Sequence, residues 1–204
     1  MGQKNNLSNV SGLHSAKEII LVGGGPSLKG FDFEKLRGRA VIAINDACLQ
    51  LPWATALFSA DRTWIARRKS AIHGFAGEKY LALDDPPELP IEGVTYLRRL
   101  RFADLSLYPE SVHIVGSSGY SALNLAFLKG AKKIILLGFD YTNPGNHFYA
   151  DYEWRPPKHN PSYQDWADAF TTTVQTLLKH GVTVLNANPN SAISAFQKIS
   201  LEEV

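Results

Sequence analysis

The chain has 204 residues, of which 45% are hydrophobic and 20% are charged, so it is long enough to fold around one large core. Its formal net charge of +2 is too small to indicate nucleic acid as the main partner. The single cysteine, Cys48, excludes an internal disulfide and a cysteine-based zinc site, and it suits a reducing cytoplasm.

The ends of the chain set the expected domain limits. The first fifteen residues are rich in Asn, Ser and Gly and lack the apolar core of a signal peptide, so we expect a disordered lead-in over 1–15. No apolar stretch reaches the length of a membrane span. The interpretation is a cytoplasmic protein with no membrane partner, in which residues 16–204 form a single domain.

Apolar runs alternate with helical segments through the first half. The run Ile19-Ile20-Leu21-Val22 leads into three glycines, Pro26 and Ser27, a pattern typical of a buried strand that ends in a tight turn. Further strands are predicted over 40–44, 56–60, 80–83 and 94–97. Helices are predicted over 32–37 and 64–72.

The second half repeats the alternation. Strands are predicted over 112–115, 133–137 and 182–185, and helices over 120–129, from Ser162 to before Gly181, and over 192–198. Residues from about 142 to 161 have no periodicity and many Pro, Gly, Asn and Tyr residues, which favours a lid. The chain is therefore predicted to be an α/β protein with a Rossmann-like, mostly parallel sheet, helices on both faces and a small lid insertion.

Polar residues follow the strands and are expected to meet at one edge of the sheet, where such folds bind ligands. Backbone amides of the glycine loop after the first strand and of the helix start near 117 can bind phosphate. The glycine loop after the first strand does not have the spacing of a Walker A or dinucleotide motif. The candidate binding residues are Gly23, Gly24, Gly25, Pro26, Ser27, Asn45, Asp46, Ser117, Ser118, Gly119, Asp140, Tyr141, Asn190 and Ser191.

Structural alternatives stay open for several of these candidates. Ser27 can donate to a phosphate or cap a turn, and Asp46 can be a turn residue at a strand end. Asp61, a candidate catalytic carboxylate, precedes Arg62 and can form an ion pair with it. Asp140 follows an apolar strand, so its carboxylate must bond locally or serve the site.

Two histidines of the predicted lid, His147 and His159, are candidate general bases, because imidazole titrates near neutral pH and can accept a proton from a hydroxyl. An isolated loop histidine is more often simply solvated. These two are singled out because the lid is expected to lie beside the binding edge.

The order of these motifs resembles a known superfamily. It joins the DUF115 proteins, including archaeal 6-hydroxymethylpterin diphosphokinases and phage-encoded members, with the bacterial family 42 sialyltransferases. The matching segments are 22–28, 117–120, 130–141 and 188–191, with 147–149 resembling DUF115 proteins in particular. Gly24 replaces an asparagine of the sialyltransferase loop, and Thr142 replaces a tyrosine.

The resemblance implies a nucleotide-dependent transferase. In glycosyltransferase-like chemistry, Gly24, Asn45, Asp61, Ser118 and Asn190 would hold a nucleotide-sugar donor without a metal, and His147 or His159 would deprotonate an acceptor hydroxyl. In a diphosphokinase, the ligands would be ATP, Mg²⁺ and a pterin-like alcohol, with Asp61 and Asp140 on the metal side. A non-catalytic nucleotide sensor is the third hypothesis. Nucleic acid is considered only as an acceptor of the transferred group. Assembly into a homo-oligomer is left as an open alternative.

Overall fold

A computed structural model describes residues 12–85, 87–142, 147–149 and 162–204, with the backbone alone at Ser162. The described strands form one all-parallel sheet in the order β6-β5-β4-β3-β2-β1-β7-β8-β9. This confirms the predicted Rossmann-like α/β fold. The strands are β1 (Glu18–Val22), β2 (Val41–Ile44), β3 (Ala56–Ser59), β4 (Glu78–Leu83), β5 (Val94–Leu100), β6 (Ser111–His113), β7 (Lys133–Leu137), β8 (Thr183–Asn186) and β9 (Gln197–Lys198).

The strand order reverses between β1 and β7. Ile20 of β1 pairs with Val41 on one side and with Ile135 on the other, and from there the chain runs outward in both directions. The loops that leave β1 and β7 therefore diverge and open a crevice, the place where doubly wound sheets bind ligands.

Helices cover both faces of the sheet, as predicted. Because side chains alternate along a strand, Ile19 and Leu21 pack into one core and Ile20 and Val22 into the other. The first core also takes α4 (Ser118–Leu128), α5 (Ser162–Ala169) and α6 (Val174–Lys179). The second takes α1 (Ala47–Gln50), α2 (Arg62–Arg67) and α3 (Lys69–Gly74).

Two of the predicted helices are interrupted. The helix expected over 64–72 is divided at Arg68 into α2 and α3. The helix expected from Ser162 onward contains a 3₁₀ turn over Phe170–Thr173 between α5 and α6. There the hydroxyls of three consecutive threonines donate to carbonyls three residues earlier, at 2.6–2.8 Å, and compete with regular helical bonding.

The helix predicted over 192–198 is wrong. The chain there is irregular and ends in β9, which pairs with β8 through Leu185 and Gln197. Ser191 Oγ accepts from Ile193 N at 3.1 Å, and Lys198 Nζ donates to Ser191 O at 2.6 Å, so the segment is folded back on its own start. These tertiary bonds override the local helical pattern.

The ends of the described chain complete the fold. The expectation of disorder up to residue 15 is wrong for Leu13–Ser15, which forms a 3₁₀ turn with Leu13 fully buried and Leu13 N donating to Glu78 Oε1 at 3.1 Å. Residues 1–11 of the expected lead-in lie outside the described residues. Most of the predicted lid lies outside the described residues, which include only 142 and 147–149 of it. Within the described ranges, no helix has the length and apolar character needed to cross a membrane.

Candidate functional site

A cavity of about 450 Å³ opens at the carboxyl ends of the strands, beside the reversal of strand order. Most of the residues selected from the sequence line it. They are Gly23, Gly24, Gly25, Pro26, Asn45, Asp61, Ser117, Ser118, Gly119, Asp140, Tyr141 and His147.

Four selected residues lie outside the cavity wall and support it instead. Asp46 is 4% exposed and accepts from Trp64 Nε1 at 2.6 Å and from Arg68 Nη2 at 2.7 Å, so it anchors α2. Ser191 Oγ donates to Phe139 O at 2.6 Å, and the exposed Asn190 donates its N–H to Asn188 Oδ1 at 2.9 Å. Ser27 is the fourth. The predicted base His159 lies outside the described residues.

Asp140 fastens the glycine loop to the end of β7. Its Oδ2 accepts from Ser27 N at 2.8 Å, and its Oδ1 accepts from Ser27 Oγ at 2.5 Å and from Asn188 Nδ2 at 2.8 Å. Three donors satisfy a carboxylate that is only 5% exposed and that would be unfavourable if buried without them. Asp140 therefore bonds within the chain, the first of the two roles left open for it. Ser27 has neither of its expected roles, because its hydroxyl donates to Asp140 and not to a turn or a phosphate.

Not every amide of the glycine loop remains available to a ligand. Gly23 N donates to Leu137 O at 2.8 Å and Gly25 N to Gly138 O at 2.9 Å. Gly24 N makes no hydrogen bond with any described residue. We expected the amides of both Gly24 and Gly25 to bind phosphate. The Gly25 amide is already bonded within the chain, so only the Gly24 amide keeps that proposed role.

The second glycine loop starts α4 and faces the same cavity. Ser117 Oγ accepts from Tyr120 N at 3.3 Å and so caps the helix, while Ser118 Oγ accepts from Ala60 N at 3.2 Å. The N–H groups of Ser118 and Gly119 have no partner among the described residues. Free amides at the positive end of an eleven-residue helix can receive an anion.

Two residues of the cavity wall adopt left-handed backbone conformations without being glycine. Asn45 has φ 55° and Tyr141 has φ 53°, and each follows directly after a strand or its terminal turn. Such conformations are kept where the surroundings determine them, and they cluster at functional sites.

Asn45 offers the cavity an amide donor. Its Oδ1 accepts from Ser59 Oγ at 2.7 Å, and Ser59 Oγ in turn accepts from Asp61 N at 3.2 Å. Because the oxygen is engaged, Asn45 Nδ2 is the group left for a ligand, and it makes no hydrogen bond within the described part of the chain.

Tyr141 offers a phenol that stays protonated. Its hydroxyl lies 2.7 Å from Ser117 Oγ, and removal from water raises the pKa of Tyr141 above its ordinary value. A Cβ at Gly119 would lie 2.6 Å from this hydroxyl, so the start of α4 and Tyr141 can meet only because residue 119 is glycine.

His147 is brought to the cavity beside the glycine loop. Its ring stacks on that of Tyr149 with centroids 4.9 Å apart and planes 8° apart. Phe148 N donates to Gly24 O at 3.0 Å, and the Phe148 ring packs 5.2 Å from Phe33. A Cβ at Gly24 would lie 2.6 Å from His147 Cδ2 and 2.7 Å from the Tyr149 hydroxyl, so these side chains occupy the space beside Gly24.

Sequence reasoning missed the arginines of the cavity, Arg62, Arg99 and Arg101. The strand predicted to end at 97 continues to Leu100, which brings Arg99 to the sheet edge. Alternation along a strand puts Arg99 and Arg101 on the same side, so a longer strand assignment would have found them. The Arg99 guanidinium donates to both oxygens of Asp84, at 2.9 and 2.6 Å, and to Ala60 O at 2.6 Å.

Trp166 of α5, which sequence reasoning did not select for the site, forms part of the cavity wall. Its Nε1 would lie 1.9 Å from a Cβ at Gly116, which has φ +79°, so glycine is required there on two grounds. Tyr163 packs beside it with ring centroids 5.2 Å apart and also lines the cavity.

The two candidate metal-side carboxylates lie in the wall but are already used by the chain. Asp61 Oδ1 accepts from Thr63 N at 2.9 Å and Trp64 N at 3.1 Å and thereby caps α2. Asp140 carries the three bonds described above. Among the described residues, no group of three or more His, Cys, Asp or Glu side chains is placed to hold a metal ion.

Taken together, the wall combines backbone amides that have no partner in the described part of the chain with an amide donor, a phenol, arginines and an imidazole around one crevice. This set can bind an anionic ligand that has several oxygen atoms, and it can accept a proton. No protein-family model matches the chain, and no curated protein sequence matches it significantly.

Proposed function

We propose that the chain is a nucleotide-dependent transferase with glycosyltransferase-like chemistry, which moves a group from a nucleotide-activated donor to a hydroxyl acceptor. The observation that carries this proposal is the convergence on one cavity of amides from two loops, Gly24 and Ser118–Gly119, that have no partner among the described residues, in a wall that also contains His147. Amides that need no rearrangement are suited to a phosphate whose charge grows during the reaction.

The donor is proposed to lie along the crevice from β7 to β3. Its phosphate would accept from the Gly24 amide and from the first amides of α4, where the helix dipole favours negative charge. Asn45 Nδ2 would donate to a ribose or phosphate oxygen. The protonated Tyr141 hydroxyl, beside Ser117 at the start of α4, would provide a further donor.

The proposed reaction needs one base. His147 would take the proton of the acceptor hydroxyl while the hydroxyl oxygen forms a bond to the donor carbon. The bond from that carbon to the phosphate oxygen breaks, and its electron pair leaves on the nucleotide phosphate, which the free amides stabilise. His159, outside the described residues, remains the other candidate base.

The family resemblance enters here as a proposal. The chain is proposed to be a DUF115-like, phage-type relative of the family 42 sialyltransferases that acts in the cytoplasm. His147 and Tyr149 occupy the space beside Gly24, where the sialyltransferase loop has an asparagine. This difference supports a donor other than CMP-sialic acid.

The diphosphokinase alternative would need carboxylates for Mg²⁺. Asp140 accepts three hydrogen bonds and Asp61 caps a helix, and the described residues bring no group of three or more His, Cys, Asp or Glu side chains together for a metal ion. We therefore favour the metal-independent reaction and keep the alternative as an outcome of the test.

The test is a melting-temperature panel with CMP, CDP-, UDP- and GDP-sugars and ATP, each with and without Mg²⁺. A ligand at one hundred times its Kd adds about 2.7 kcal/mol to the free energy of unfolding, roughly 5–10 °C for a chain of this size. Gly24→Ala should lose this shift, because an added methyl group forces His147 and Tyr149 to move, whereas Gly74→Ala, with open space around it, should keep it.

Activity then separates the hypotheses. With the donor that binds, His147→Ala should lower kcat by roughly 10²–10⁴-fold, the usual contribution of a general base, whereas the exposed His73→Ala should not. Stabilisation by ATP only with Mg²⁺ would favour the diphosphokinase. Stabilisation without turnover on any acceptor would favour a sensor. Indifference to every nucleotide would overturn the transferase proposal.

A further inference from the structure

Three arginines border the end of the cavity farthest from the glycine loop. Arg62 follows β3, Arg99 lies near the end of β5 and Arg101 follows β5, and all three line the cavity. The carboxylate of Asp84 lies among them, and that of Asp61 lies in the same wall beside Arg62. Arg99 Nη2 is 2.6 Å and Arg62 Nη1 3.9 Å from Asp84 Oδ2. Hydrogen bonds from Arg99 first, and the charges of Arg101 and Arg62 further, hold the pKa of Asp84 below its ordinary value.

Arg99 is the fixed member of this cluster. Its side chain is 9% exposed, and its guanidinium is divided between the Asp84 carboxylate and Ala60 O. Ala60 N also donates to Ser118 Oγ, so Arg99 is tied to the segment that contacts the start of α4. Arg99 thus neutralises Asp84 and joins the segment after β4, which contains Asp84, to the segment after β3, which contains Ala60. Its guanidinium therefore has few N–H groups left for a ligand.

Arg62 and Arg101 have that capacity. Arg62 Nη1 is 3.9 Å from Asp84 Oδ2, beyond hydrogen-bond distance, and the Arg62 side chain is 73% exposed. Arg101 is exposed and forms no hydrogen bond or ion pair with the described residues. Arg99 pairs with Asp84, and the Asp61 carboxylate, which lies in the same wall, caps α2. Arg62 and Arg101 form no hydrogen bond with the described residues, so their guanidinium groups can receive an anion.

This end is distinct from the free amide of the glycine loop. Arg62 follows β3, two strands away from β1, which corresponds to about 10 Å across a sheet, and Arg101 follows β5, two strands farther. A phosphate at the Gly24 amide would therefore leave Arg62 and Arg101 for a second group.

We propose that Arg62 and Arg101 form a subsite for an anionic group of the acceptor, a terminal phosphate or carboxylate. The proposal rests on the proposed function, because it assigns the cavity's second occupant. Guanidinium groups bind the paired oxygens of both anions through two parallel N–H bonds, which would orient the acceptor hydroxyl toward the donor.

The test compares Arg62→Gln/Arg101→Gln with Arg98→Gln. Arg98 is an exposed residue of the same strand that does not line the cavity, so it controls for the loss of charge alone. Phenyl phosphate, benzoate and phenol are titrated by NMR, in the presence of any nucleotide that binds. We expect the two anions to bind the wild type and Arg98→Gln equally, to bind the double variant at least roughly tenfold more weakly, and phenol not to bind.

The two anions identify the group recognised: preference for phenyl phosphate indicates a phosphorylated acceptor, and preference for benzoate indicates a carboxylate. Equal weakening in Arg98→Gln, or no weakening in the double variant, would overturn the subsite. A short thymidine oligonucleotide that binds only when both arginines are present, while phenyl phosphate and benzoate do not bind, would replace it with a nucleic-acid backbone site.

The nucleotide panel separates this proposal from the transferase proposal. If the double variant keeps the nucleotide-induced melting shift and loses anion binding, the subsite is supported as separate from the donor. If it loses both, the arginines hold the donor phosphate, and the acceptor subsite is overturned while the transferase proposal stands. If no nucleotide stabilises the wild type but the anion result holds, the transferase proposal fails and the anion subsite is supported.

Discussion

The carboxylate of Asp140 receives both the backbone N–H and the hydroxyl of Ser27, a residue 113 positions earlier, at 2.8 and 2.5 Å. This contact joins the loops that leave β1 and β7, the two strands between which the strand order reverses. It also explains why residue 25 is glycine, since a Cβ there would lie 2.5 Å from Asp140 Oδ1. The crevice is therefore shaped by one buried carboxylate.

We expect Asp140→Ala to lower the free energy of unfolding by about 2–4 kcal/mol, because it leaves buried donors of Ser27 and Asn188 without an acceptor. Ser27→Ala removes one hydroxyl donor and should lower it by about 1–2 kcal/mol. Urea unfolding followed by circular dichroism measures both values.

A serine outside this contact provides the control. Ser15 Oγ forms an exposed bond with Gly12 O, so Ser15→Ala should change stability by no more than about 0.5 kcal/mol. If Asp140→Ala were as stable as Ser15→Ala, the carboxylate would not hold the glycine loop in place.

Neighbouring glycines should respond differently to the same added methyl group. At Gly25 the methyl meets the Asp140 carboxylate at 2.5 Å and the backbone Gly138 O at 2.6 Å, so we expect Gly25→Ala to destabilise the fold by roughly 1–3 kcal/mol. At Gly24 it meets the ends of side chains that can rotate away, so Gly24→Ala should stay closer to the wild type.

Melting temperature and nucleotide affinity separate the two effects. Gly24→Ala should lose nucleotide affinity while nearly keeping its melting temperature, and Gly25→Ala should lose both. Gly74→Ala, which has no atom within 4 Å of the new methyl group, is the matched control. A larger loss of stability in Gly24→Ala than in Gly25→Ala would contradict the assignment of rigid and movable neighbours.

Asp84 should contribute to acid unfolding. Hydrogen bonds from Arg99 hold its pKa below the ordinary 3.8 in the folded chain, so on acidification the unfolded chain takes up this proton first. The contribution to stability is complete above about pH 4 and is lost as the pH falls through the folded-state pKa. Asp84→Asn should therefore have a shallower decline in stability below pH 4 than the wild type.

The exposed neighbour Asp85 supplies the comparison, since no hydrogen bond or ion pair joins it to the described residues. In Asp85→Asn, the free energy of unfolding, measured in urea at stepwise lower pH, should fall with pH as steeply as in the wild type. If the free energy of unfolding of Asp84→Asn fell with pH as steeply as that of the wild type, the ion pair between Arg99 and Asp84 would not persist in solution.

The sequence predicted the sheet because it carries local signals: apolar runs such as 19–22 and 134–137, each followed by glycine, mark buried parallel strands. The same positions predicted much of the cavity wall, because strand ends meet at one edge. Arg99 and Arg101 were missed because Arg98 and Arg99 interrupt the apolar pattern, so the strand was predicted to end at 97 and not at Leu100. The role of Asp46 depends on its contact with Arg68, which no local pattern encodes.

The strained backbone of Asn45 allows its conformational and ligand-binding roles to be separated. At φ 55° a glycine is unstrained and an alanine is not, so Asn45→Gly should be about 1 kcal/mol more stable than Asn45→Ala, although both lose the bond from Ser59. If Nδ2 contacts the nucleotide as proposed, both variants should lose the same affinity, measured by calorimetry.

Asp104 is the control for this pair. It has φ 66° and does not line the cavity, so Asp104→Gly should likewise be more stable than Asp104→Ala, with nucleotide affinity unchanged in both. Wild-type affinity in Asn45→Gly would mean that the residue serves only the turn after β2 and its amide does not touch the donor. Equal stability of the two Asn45 variants would instead show that the left-handed turn relaxes when the side chain is removed.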